Sequence, residues 1–180
     1  VIKLLKTEEE RIRFREAFWK ARDPNPKTTV NEFRNEYRQR LYYVKRFLKG
    51  IRSDRGRIYL ILGKPTNKTD FAGHHSLVDC ELWNYERLER PGLLPFMNLV
   101  FYKPHNTGDY QLYHPGIHGP RGLLSPQYAN NINSRMKAFR EIKALSPELA
   151  SASLSIVPGE GNAYSSMGSG SSNFALNRIY

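Results

Sequence analysis

Thr29-Val30-Asn31-Glu32-Phe33-Arg34-Asn35-Glu36-Tyr37-Arg38-Gln39-Arg40-Leu41-Tyr42-Tyr43-Val44-Lys45-Arg46-Phe47-Leu48-Lys49-Gly50 is the stretch on which the fold turns. Val30, Phe33, Tyr37, Leu41, Val44 and Leu48 follow one another at intervals of 3, 4, 4, 3 and 4, the repeat of one helix face. Arg34, Arg38, Arg40, Lys45 and Lys49 fall on the other side. Thr29 and Glu32 have the spacing of a capping box, and Gly50 stands where a C-cap glycine belongs.

Upstream, Thr7 and Glu10 form a second capping-box pair. Phe14, Ala17, Phe18 and Ala21 recur at helical spacing behind it, with Trp19 widening the apolar side. Core packing is the expected fate of Phe14, Phe18 and Tyr37. Asp23-Pro24-Asn25-Pro26 ends this helix, because proline disfavours helical geometry in the residue before it.

Downstream the period changes from helix to strand. Arg57–Leu62, apolar and closed by Gly63-Lys64-Pro65, reads as a first strand. Val78–Tyr85 contains a second strand, Asn98–Tyr102 a third, and Tyr110–Tyr113 a fourth after a turn at 104–109. Short strands with no helix between them predict an antiparallel meander, one face covered by the two helices. The expected class is therefore α+β. A further helix is expected over Gln127–Leu145, a helix start at Ser146-Pro147-Glu148, and a short strand at Leu154-Ser155-Ile156-Val157.

By composition the chain divides into 1–113, the α+β unit; 114–158, a Gly/Pro loop, helix and short strand completing it; and 159–180, a Gly/Ser-rich extension. The extension has the composition of a flexible linker, and docking against this chain or a partner is expected of it.

The 180 residues suffice for one ordinary domain, and no run approaches the roughly 18 apolar residues of a membrane span. Val1-Ile2-Lys3-Leu4-Leu5 passes straight into charged residues, so no leader is expected within the chain. Cys80 is the single cysteine and excludes an internal disulfide. Of the net charge of +11, residues 1–57 carry +9, with 17 Lys/Arg against 8 Asp/Glu. A half so basic implies an anionic neighbour: nucleic acid, a lipid headgroup surface or an acidic protein.

Phe18-Trp19-Lys20-Ala21-Arg22-Asp23-Pro24, Asn31-Glu32-Phe33-Arg34, Asp54-Arg55-Gly56-Arg57-Ile58-Tyr59, Leu62-Gly63-Lys64-Pro65, Glu81-Leu82-Trp83-Asn84-Tyr85 and Gly108-Asp109-Tyr110-Gln111-Leu112 occur in that order. In these blocks the chain resembles the GWxTD-domain proteins of bacteria. The naming motif is partly present: Gly50-Ile51-Arg52-Ser53-Asp54 keeps the glycine and aspartate, has serine for threonine, and lacks the tryptophan. The resemblance implies a bacterial protein of the cell envelope, periplasmic or associated with the outer membrane, with the cytoplasm as the alternative. It implies fold and location and no particular activity. The arrangement of two helices and a meander, with L-G-x-P and W-x-Y, is also similar to the small lipoprotein of the outer-membrane barrel-assembly machine, an interaction module.

Most singled-out residues have a structural reading. Trp19, Asp23, Pro24, Gly50, Asp54, Gly56, Gly63, Pro65, Trp83 and Tyr85 are expected to shape turns and core. At Asp54-Arg55-Gly56, Ser53 or Asp54 caps backbone amides, Gly56 takes a positive φ and Arg55 pairs with a local acid. A buried contact between Arg22 and Asp54 is a conceivable alternative. His74, His75, Asp79 and Cys80 lack metal-ligand spacing, and Cys80 has no orienting motif of a nucleophile. Lys64 lacks the glycine framework of a phosphate loop. No cofactor is expected. The residues assigned to binding are Arg22, Arg38, Arg40, Arg55, His118 and Arg121. The expected function is a non-catalytic interaction module of an envelope assembly, its partners other protein subunits or the anionic membrane surface. Nucleic-acid binding through the basic helices is the alternative, and an unrecognised hydrolase the third.

Overall fold

A computed structural model describes residues 5–87 and 95–154. The fold is α+β, with helices first, a four-stranded antiparallel sheet next and further helices after it. Helices α1 (Glu8–Lys20), α2 (Glu32–Phe47) and α3 (Asp54–Leu62) precede strands β1 (Asn67–Asp70), β2 (Cys80–Glu86), β3 (Phe96–Tyr102) and β4 (Gln111–Leu112). Helices α4 (Pro126–Ala129), α5 (Arg135–Leu145) and α6 (Pro147–Leu154) follow. The strands lie side by side in chain order, all antiparallel.

Because a strand alternates its side chains, the register β2–β3 divides the core in two. Trp83 opposes Leu99 and Tyr85 opposes Met97; with Phe101 they face Val44 and Leu48 of α2 and Ile58, Tyr59 and Leu62 of α3. Cys80 opposes Tyr102 and Leu82 opposes Val100, and these face Ala138 and Ile142 of α5 and Leu149, Ala150 and Ala152 of α6. Helices thus pack on both faces of the sheet. Residues 114–154 belong to this second layer, with Leu123, Leu124 and Ile132 buried in it.

Several expectations are corrected. Arg57–Leu62 is not a strand but the body of α3. An unbroken apolar run does not separate strand from helix by period, and the caps decide it here. The Ser53 hydroxyl accepts the Gly56 N–H at 3.0 Å, and Gly63, at φ +87°, stops the helix. The first strand of the sheet is instead the polar Asn67–Asp70, exposed at every position. The cap of α2 is Asn31, whose side chain accepts the Arg34 N–H at 2.8 Å, and not Thr29. The helix stops at Phe47 with Leu48 as its cap, and Gly50, φ +88°, lies two residues beyond. The helix expected over Gln127–Leu145 is broken into α4 and α5. The break falls in Asn130-Asn131-Ile132-Asn133-Ser134, a run of residue types with low helix propensity. Leu154 closes α6. The strand expected beyond it and the docking of the Gly/Ser-rich extension lie outside the described residues.

Gly56 has no positive φ. A Cβ there would stand 2.2 Å from the Gly50 carbonyl oxygen and 2.9 Å from Val44 Cγ1, so the glycine lets α3 press against the end of α2. Among the described residues no helix is long and apolar enough to cross a membrane.

Candidate interaction surface

Among the described residues, helix α1 is the one long element without a buried residue. Its start is fixed by the capping box: Thr7 Oγ1 accepts the Glu10 N–H at 3.1 Å, and Glu10 Oε2 accepts the Thr7 N–H at 3.0 Å. Its end is tied to α2 by Asn31. One atom of that side chain caps α2, while its Nδ2 donates to the Trp19 carbonyl at 2.7 Å. Trp19 then packs against Phe33 and Tyr37, ring centroids 6.2 and 5.6 Å away. One flank of α1 is thereby seated.

Among the described residues the other flank is left uncovered. Phe14 and Phe18, 6.4 Å apart and only half-buried, line a groove of about 430 Å³ with Leu5 and Trp19, and Glu8, Arg11 and Arg15 complete its wall. The Arg22 guanidinium lies 3.8 Å over the Phe18 ring, and that of Arg34 lies 5.8 Å from Trp19. Phe14 and Phe18 are therefore not core residues, contrary to expectation. Ile12 lies away from the Phe14–Phe18 side of the helix. Ile12 is exposed as well.

The residues assigned to binding do not converge. Arg22 belongs to the α1 surface, and it does not meet Asp54. Arg38 and Arg121 are exposed and lie elsewhere. Arg40 is structural: it donates to the carbonyls of Leu60 and Ile61 at 3.2 and 3.3 Å and pairs with Glu36, satisfying the last turn of α3. His118 is half-buried in a corner with Tyr102 and Tyr113, its Nδ1 accepting the His114 N–H at 2.9 Å. Burial, reinforced by His114, pushes its pKa below the ordinary histidine value.

Arg55 is structural too, and it leads to a group that no sequence motif singled out. Its partner is not local but Glu81, on β2, at 2.7 Å. Glu81 is buried, and it also accepts from Lys68 Nζ and Trp83 Nε1, each at 2.9 Å. Tyr110 lies 4.0 Å beneath the Arg55 guanidinium. Asp54 accepts the Leu112 N–H at 2.7 Å, so Asp54 and Arg55 together pin α3 to β4 and β2. The turn glycine and the aromatic motif meet as well: the Tyr85 hydroxyl donates to the Gly63 carbonyl at 3.0 Å beside buried Pro65.

No metal centre emerges. His74 and His75 stack on one another at 4.8 Å, Asp79 takes Gly73 N–H and Lys103, and Cys80 lies in the core. Among the described residues no group of three or more His, Cys, Asp or Glu is placed to hold an ion. Burial, with the carboxylates of Asp70, Asp79 and Glu81 adding to it, pushes the Cys80 thiol up to about 12. A thiol so held is a poor nucleophile at neutral pH. No protein-family model matches the chain, and no curated protein or solved structure matches it.

Proposed function

We propose that the chain is a non-catalytic macromolecular interaction module of the bacterial cell envelope, with the open flank of α1 as its docking surface. One observation carries the reading. The sheet is covered on both faces by other elements, yet a capped helix of 13 residues holds two half-buried phenylalanines and three exposed arginines, with Arg22 just beyond its end. Half-buried aromatics beside arginine are the composition of interface hot spots. The inert Cys80 thiol and the scattered histidines support a non-catalytic role. The envelope assignment rests on the resemblance of the sequence blocks to GWxTD-domain proteins.

Capture of partners on the native protein and on a Phe14→Glu/Phe18→Glu variant tests the reading. Partners retained by the first and lost by the second are the expected result; identical sets overturn it. The cations beside Phe18 and Trp19 also suit stacked bases, the nucleic-acid reading. Its signature is retention of nucleic acid that falls steeply with salt.

A further inference from the structure

We infer that the open flank of α1 docks against the same flank of a second copy of this chain, the two helices antiparallel. This rests on the reading of that flank as a docking surface and names its occupant.

The argument is one of charge placement. The chain as a whole carries +11, which disfavours bringing two copies together. Helix α1 is the exception within the basic half. Glu8, Glu9, Glu10 and Glu16 balance Arg11, Arg13, Arg15 and Lys20, so the helix is neutral. On the groove flank itself Glu8 stands at one end and Arg22 at the other, with Arg11 and Arg15 between them. The charges are also ordered: three glutamates stand in the first turn, and Lys20, with Arg22 just beyond, at the end.

Laid antiparallel on a copy of itself, such a helix brings its acidic end beside the partner's basic end, twice by symmetry. The opposed helix dipoles favour the same orientation. With the crossing point near Glu16, Phe14 of one copy meets Phe18 of the other, and again by symmetry. Each copy's groove, beside Phe14 and Phe18, is then filled by the other's ring. A parallel pair would instead stack acid on acid and base on base.

The contact is small. A helix of 13 residues spans about 20 Å, and one flank of it falls well short of the roughly 800 Å² per partner of a stable interface. The expected dimer is weak, with a dissociation constant on the order of 100 µM.

Sedimentation equilibrium of the purified chain, from about 10 µM to 1 mM, tests this around that expected constant. Concentration-dependent dimer is expected, weakened at least tenfold by Phe14→Glu/Phe18→Glu. Two exposed single variants, Glu8→Arg and Arg22→Glu, decide the geometry, because neither side chain is in the core. Each alone brings like charges together at both ends and is expected to stay monomeric. Mixed in equal amounts, the two are expected to associate as the native chain does, since opposite charges then meet at both ends. A native chain that is monomeric throughout overturns the inference, and so does a dimer insensitive to these variants or a mixture that fails to associate. A purely monomeric chain would leave docking of a different partner on α1 standing, and the capture experiment reads that separately.

Discussion

Replacing Glu81 by alanine removes the acceptor shared by Arg55, Lys68 and Trp83. The three losses are unequal. Lys68 is 42% exposed and regains water, so its share is under about 1 kcal/mol. The Arg55 side chain is 11% exposed and would be left as a nearly buried charge without its carboxylate, a loss on the order of 3–5 kcal/mol. The buried Trp83 N–H adds part of about 1–3 kcal/mol, but the groups act as one network and the terms do not sum. About 4 kcal/mol is expected, a large fraction of the roughly 5–15 kcal/mol of a whole domain. For a chain of this size that lowers the melting temperature by about 8–16 °C. Urea unfolding followed by far-ultraviolet circular dichroism measures it, with Lys68→Ala as the control expected to cost under about 1 kcal/mol. The double variant Arg55→Met/Glu81→Met should recover most of the loss, because it removes both charges. A loss below about 1 kcal/mol for Glu81→Ala would refute the claim that this carboxylate joins α3 to the sheet.

Gly56→Ala sets two effects against each other. Alanine gains about 1 kcal/mol of helix propensity, but its Cβ would overlap the Gly50 carbonyl and crowd Val44, forcing α2 and α3 apart at about 2–3 kcal/mol; a thermal melt should show net destabilisation, and a raised melting temperature would sink the argument. Asp79 is held below the usual carboxylate range by the Gly73 N–H and then by Lys103. A depressed folded pKa stabilises above the unfolded value near 3.9 and is lost as pH falls through the folded one. The stability gap between wild type and Asp79→Asn should accordingly be constant above about pH 5 and close on acidification, as urea midpoints across pH will show.

The meander was legible because its signals are local. Trp83 and Tyr85 alternate with Leu82 along β2, and two-sided burial made β3 a continuous apolar run from Leu99 to Tyr102. Helix α2 was legible through its repeat. The identity of α3 was not, because Ile58-Tyr59-Leu60-Ile61-Leu62 is apolar at every position and carries no period. The deciding information lay in the Ser53 cap, a single hydroxyl. Strand β1 was missed for the opposite reason: Asn67-Lys68-Thr69-Asp70 is wholly polar, and only its pairing with Glu81–Asn84 makes it a strand. At the candidate surface the arginines were visible, but composition does not say which of them another part of the chain consumes. Arg40 and Arg55 are consumed by carbonyls and a carboxylate 20 to 26 positions away. Arg22 stays local, stacked on the Phe18 ring and donating to the Phe18 carbonyl at 3.3 Å. Phe14 and Phe18 read as core because apolar residues at helical spacing usually are, and nothing local reveals that no element among the described residues covers them.

The chain-order sheet has a consequence for how the molecule is made. Every strand pairs with its neighbour in sequence, so each pairing closes a short loop, the condition for rapid folding. The two helical layers arrive at different times during synthesis. By Leu112 the ribosome has delivered all four strands together with α2 and α3, enough to complete one side. Leu82, Val100 and Tyr102 on the other side must wait for Ile142 and Leu149. Once Leu112 has emerged, the sheet can form with one apolar face bare until α5 and α6 follow, and such exposed apolar surface is what makes partly folded chains prone to aggregate.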